Sequence, residues 1–155
     1  MDEVEQGERG GVLVVRRVLA VPRERVFAAW LDPASLARWM CPGDVRRTTA
    51  EVDARVGGAF RIVMEHGRGG TEHTGEYLEI DPPSRLAFTW ISVNTDLRAT
   101  LVTVELLQRG GGGGGGTELV LTHRRLPPAQ VESHRRGWSD IVRRLEEALA
   151  GDAAG

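Results

Sequence analysis

The chain has 155 residues, of which 41% are hydrophobic and 27% charged, which suits one domain with a real core. Its net charge of −2 excludes a general basic field for nucleic acid or anionic membrane, and no apolar run approaches the length of a membrane span. All 20 basic residues are Arg, which excludes Schiff-base or Lys-nucleophile chemistry, and the single Cys41 excludes an internal disulfide and a multi-Cys zinc site. The polar, acidic start MDEVEQGERGG does not read as a signal peptide, and the expected location is the cytoplasm. The Arg pairs Arg46-Arg47, Arg124-Arg125 and Arg135-Arg136 could bind phosphate but read as solvated faces.

Residues 1–11 read as a disordered, Gly-rich lead-in. Val12–Val21 is a β-branched strand. Pro22 then starts a helix, where its missing N–H costs nothing, and Val26, Phe27 and Trp30 share one face. Asp32-Pro33 repeats the signal as N-cap and N1 of a shorter helix carrying Leu36, Trp39 and Met40, which Cys41-Pro42-Gly43 ends.

Strands follow. Val45–Asp53 is weak and polar, Gly57-Gly58 marks a turn or bulge, and Ala59–Glu65 puts Phe60, Ile62 and Met64 on one face by period two. His66–Gly70 reads as a turn. Glu72–Val93 is a hairpin with a Pro82-Pro83 corner and apolar arms, Tyr77, Leu78 and Ile80 facing Leu86, Phe88 and Trp90. Tyr77 and Leu78 cannot both point inward without a bulge; the expectation takes Tyr77 and Ile80 as the inward pair. Thr100–Gln108 and Thr117–His123 are strands joined by the seven glycines Gly110–Gly116. That run lacks a Gly-Lys-Ser/Thr ending and no helix follows it, so it reads as a hairpin loop and not a phosphate loop.

After Pro127-Pro128, Val131, His134, Trp138, Ile141, Val142, Leu145, Ala148 and Leu149 recur at three- and four-residue steps, a helix of about 30 Å at roughly 1.5 Å per residue. Gly137 sits inside it at a cost of about 1 kcal/mol relative to Ala, which implies either close approach of another element or room beside Trp138. Gly151–Gly155 reads as a frayed tail. The order predicts an α+β fold of about six or seven antiparallel strands curled around the long C-terminal helix. The concave space between them is a cavity unless large side chains fill it.

Arg17–Pro42 (RVLAVPRERVFAAWLDPASLARWMCP) resembles the opening of the activator-of-heat-shock-chaperone-ATPase homologue (AHSA-type) family, within the START-like or SRPBCC superfamily that shares the birch-pollen-allergen fold. Val56–Met64, Gly75–Trp90, Thr100–Leu106, Thr117–His123 and His134 with Gly137-Trp138 continue the resemblance in order over residues 12–150. It implies a single helix-grip domain, with two short helices closing one end of a sheet that grips the last helix. It also implies a cavity for apolar or aromatic molecules, in a superfamily that spans carriers, polyketide cyclases and aromatases, oxygenase domains and co-chaperones. Fold alone does not choose among these.

The expected cavity lining is Phe60, Ile62, Met64, Tyr77, Phe88 and Trp90 from the sheet, with Trp39, Met40, Trp138 and Ile141 from the helices; the competing reading is a solid aromatic core. His123 falls on the apolar face of its strand, as a ligand anchor or as a structural His with satisfied hydrogen bonds. His134 lies on the Trp138 face of the last helix, and His66 and His73 are expected to be exposed beside a turn. No His-x-x-x-His or Glu-x-x-His pattern implies a metal or other cofactor, and no nucleophile elbow or triad is present, so no catalytic residue is assigned. Strand carboxylates such as Glu65, Glu76, Glu79 and Glu105 mostly alternate outward, and Cys41 reads as a small inert hydrophobe. The expected function is binding of a small hydrophobic or aromatic molecule, with Tyr77 or His123 orienting it. A cyclase- or aromatase-like enzyme and a chaperone-contacting module stand as alternatives. Nucleic acid and membrane are not expected partners; a homodimer is compatible with the sequence, and a chaperone partner follows from the family name alone.

Overall fold

The computed structural model describes residues 10–67, 69–110 and 115–154. Most of the N-terminal lead-in and most of the glycine run therefore lie outside the described residues. Seven strands form one antiparallel sheet: β1 (Gly11–Leu19), β2 (Arg47–Val52), β3 (Ala59–His66), β4 (Gly69–Asp81), β5 (Arg85–Trp90), β6 (Thr100–Arg109) and β7 (Gly116–Leu126), in the order β1-β7-β6-β5-β4-β3-β2. Strands β2 to β7 are a meander, because each pair is joined by a short connection. β1 adds beside β7, so β1 and β2 are opposite edges and the chain between them must cross the whole sheet. Helices α1 (Arg23–Leu31) and α2 (Pro33–Trp39) make that crossing.

Local chemistry accounts for both helices. Pro22 stands at the N-cap of α1, one position before the first helical residue, and its carbonyl accepts from the N–H groups of Arg25 and Val26. The Asp32 side chain accepts from the Ala34 N–H at 3.2 Å, and Pro33 follows it as the first residue of α2. Val26, Phe27, Trp30, Leu36 and Trp39 are all buried.

Helix α3 (Val131–Ala154) packs closest to β1 and α2. It runs past the frayed end expected at Gly151, with the guanidinium groups of Arg38 and Arg25 donating to the Ala148 and Leu149 carbonyls near its end. Arg17 on β1 ties its flank through Glu146 at 2.7 Å.

β4 starts at Gly69, earlier than expected, and pairs with β3 down to His66 opposite Gly69. His66 and His73 are therefore strand residues. Further along β4 the register passes from Tyr77 opposite Phe88 to Glu79 opposite Ala87, so Leu78 is an extra residue. This bulge turns Leu78 out to 45% exposure while Tyr77 is 3% exposed, and Ile80 packs against the core. One inserted residue thus resolves how Tyr77 and Ile80, three apart, both face inward.

Gly75 has a steric reason. A Cβ there would sit 2.5 Å from the Phe60 ring and would also strike the Thr89 carbonyl. The Phe60 ring lies over Gly75, its partner across the β3–β4 ladder. Gly75→Ala should therefore destabilise the fold by about 1–3 kcal/mol through overpacking, read as a lower urea midpoint at unchanged m-value.

Candidate functional site

Large rings fill the deep half of the concave space. Trp30 lies edge-on to Trp39 with centroids 4.8 Å apart, and its ring is 6.4 Å from Phe88 and 6.3 Å from Trp138. Phe60 meets both Phe88 and Tyr77 at 5.4 Å. The gap left among Met40, Phe60, Ile62, Tyr77 and Phe88 is only about 10 Å³, enough for a single water. These five expected lining residues are walls of a closed core, because the rings are large enough to meet across it. Trp39 is fully buried, donates from Nε1 to Ser35 Oγ at 2.9 Å, and lines neither space.

An open cavity of about 270 Å³ remains beside the first half of α3. Met64, Trp90, Trp138 and Ile141 form its apolar floor, four residues that the sequence assigned to the lining. The Trp90 and Trp138 ring centroids are 5.0 Å apart. Pro42, Val45 and Gly137 border it, and its polar wall is His66, Thr71, His73, Asn94, Ser133 and His134. No Arg, Asp or Glu is among its described lining residues.

A glycine and a carboxylate of α3 shape this space. A Cβ on Gly137 would find only Pro42 Cβ within 4 Å, at 3.9 Å, so this glycine leaves room beside Trp138 and accommodates no close neighbour. One turn further on, Asp140 accepts from the Gly43 N–H at 2.7 Å and also pairs with Arg143 and Arg144. Burial works against the Asp140 charge, but these donors outweigh it and hold the carboxyl below its ordinary range. The clamp fixes the loop carrying Pro42 and Val45 against α3.

His123 is buried at 0% exposure and both its nitrogens are engaged. Trp138 Nε1–H donates to His123 Nδ1 at 2.9 Å, so Nδ1 carries no proton. His123 Nε2–H then donates to Thr100 Oγ1 at 2.7 Å, and the Thr100 hydroxyl donates to the Trp90 carbonyl at 2.6 Å. His123 is the structural histidine of the two readings. It does not line the cavity, so the pairing of His123 with Tyr77 that would serve a cyclase is not formed. The cavity histidines are His134, expected on the Trp138 face of the last helix, and His66 and His73, expected to be exposed. His73 is 6% exposed and stacks on Trp90 with centroids 4.7 Å apart, which corrects the expectation of an exposed residue. A signal for it existed: Thr71, His73, Gly75 and Tyr77 share one strand face by period two.

Burial lowers the His73 pKa to about 4 and that of His123 to about 3, with nearby His134 adding to both shifts. Between pH 6.5 and about 4 the unfolded chain binds protons at these positions that the native state does not. Their contribution to stability is complete above pH 6.5 and declines below it, by about 1.4 kcal/mol per pH unit for each histidine. Urea melts from about pH 7 to 5 should show that slope, and His73→Phe should remove roughly half of it.

Among the described residues there is no group of three or more His, Cys, Asp or Glu placed to hold a metal ion, and no helix long and apolar enough to cross a membrane. No curated protein matches the sequence. Solved structures do. A Chromobacterium violaceum protein is 28% identical with a TM-score of 0.74, over 89% of this chain and 96% of that one. The AHSA1 protein from Silicibacter pomeroyi is 27% identical at TM-score 0.74, covering 92% and 99% of the two chains. An Hsp90 activator from Plasmodium falciparum is 27% identical at TM-score 0.70, covering 91% and 97%. The model of one family, activator of Hsp90 ATPase homolog 1-like protein, matches residues 20–150, and with the helix-grip fold in place the chain belongs to that family.

Proposed function

We propose that this protein binds a small aromatic or apolar molecule in the cavity between the sheet and α3. The observation that carries the reading is the open space at Gly137, beside a floor of Trp90, Trp138, Met64 and Ile141. Packing gives no reason for a glycine in that turn, and it costs the helix about 1 kcal/mol relative to Ala. Burial of apolar ligand surface drives binding at about 25 cal/mol per Å², in a cavity near the small end of ligand sites.

Two substitutions test it. Gly137→Ala should stabilise the free protein by up to about 1 kcal/mol. Gly137→Leu should keep the fold and fill the cavity. Naphthol methyl ether at about 100 times its Kd should add about 2.7 kcal/mol to the wild type, read as a higher thermal midpoint, and nothing to Gly137→Leu. An equal midpoint rise in both proteins would place binding elsewhere.

A second reading, contact with a chaperone, is favoured by the family and by the Plasmodium Hsp90 activator among the structural relatives. Exposed Val93 and Leu97 flank Asn94 at the cavity edge and offer apolar contact there. Calorimetric titration with a purified Hsp90-type chaperone tests this reading; no heat of binding at micromolar concentration would end it.

A further inference from the structure

The polar wall narrows the class of ligand, an inference that rests on the cavity being the binding site. His134 Nδ1 lies 2.9 Å from the Gln130 carbonyl oxygen. A carbonyl can only accept, so Nδ1 carries the proton and donates. Burial lowers the His134 pKa and keeps the ring neutral, which leaves Nε2 with a lone pair and no hydrogen. His73, on the same wall, is 6% exposed, and its Nδ1 is buried without a hydrogen-bond partner. The neighbouring hydroxyls are already engaged: Ser133 Oγ donates to the Gln130 carbonyl at 3.2 Å, and Thr71 Oγ1 pairs with His66 Nε2 at 3.1 Å. Asn94 adds a carboxamide, and no guanidinium or carboxylate is among the described lining residues.

Three ligand chemistries meet this wall differently. A carboxylate or phosphate would lose its hydration against neutral imidazoles, with no cation among the described lining residues to replace it. A purely apolar ring would leave the imidazole nitrogens covered and unpaired. A neutral ring with a hydroxyl group satisfies both halves of the cavity. We infer that the cavity takes a neutral aromatic hydrogen-bond donor, a hydroxyarene in its simplest form, with its ring against Trp90 and Trp138 and its hydroxyl donating to His134 Nε2.

The test is a titration of tryptophan fluorescence with naphthol, its methyl ether and naphthoate. Naphthol should bind about fivefold more tightly than the ether, the effect of one hydrogen bond to a buried acceptor, and naphthoate more weakly than either. His134→Phe removes the acceptor; it should abolish the preference for naphthol over the ether, and an undiminished preference in this variant would overturn the contact with His134 Nε2. Nitrogen NMR of the wild-type histidines provides a readout without a variant: the His134 Nε2 resonance should move with naphthol and not with the ether. Equal affinities for naphthol and ether, or naphthoate binding tightest, would overturn the ligand class while the cavity reading stands. If none of the three binds, or if Gly137→Leu leaves all three affinities unchanged, the cavity reading fails and this inference with it.

Discussion

The arrangement of this protein depends on one buried hydrogen-bond chain. It runs from the Trp138 indole on α3 through His123 on β7 and Thr100 on β6 to the Trp90 carbonyl on β5. All four residues are no more than 3% exposed. The chain is neutral, each donor has one acceptor, and breaking any link would strand a buried polar group at about 1–3 kcal/mol. Its two ends are the two tryptophans of the cavity floor. The contact that docks the helix on the sheet therefore also fixes the surface on which a ligand would rest.

Around that anchor the concave space divides in two. Towards α1 and α2, Trp30, Phe60, Tyr77 and Phe88 interlock and leave about 10 Å³. Beside the first half of α3, Trp90 and Trp138 form a floor with no large ring opposite to close it, and about 270 Å³ stays open. Two glycines mark the difference. At Gly75 a side chain would collide with Phe60, so the glycine serves packing. At Gly137 a side chain would meet almost nothing, so the glycine serves space. A residue that weakens its own helix without easing any contact is the kind of local inconsistency that function explains better than folding does.

Much of this was legible in order and period. Asp32-Pro33 marked the start of α2 and period-two alternation set the inner face of β3, whereas the inner face around Tyr77 and Leu78 stayed ambiguous in sequence and was decided by the bulge at Leu78. The cavity was less legible. Of the residues expected in the lining, Met64, Trp90, Trp138 and Ile141 border the open space, while Phe60, Ile62, Tyr77 and Phe88 face the same way and border the closed part. Trp30, the hub of the ring cluster, read only as an end-closing residue.

The sequence by itself determined most of the elements, their order and the inner faces of β3 and α3, because periodicity, capping and turn chemistry are local. It also carried the ordered resemblance that led to the family. Tertiary structure alone decided which rings meet and which leave a gap, because that depends on sheet curvature and on the docking of α3, set by contacts such as Asp140 with Gly43, 97 residues apart. It decided the histidine roles for the same reason. His123 and His134 both sit on apolar faces in sequence, and only the hydrogen-bond partners brought to them, Trp138 and Thr100 for one and the Gln130 carbonyl for the other, make the first structural and leave the second an open acceptor.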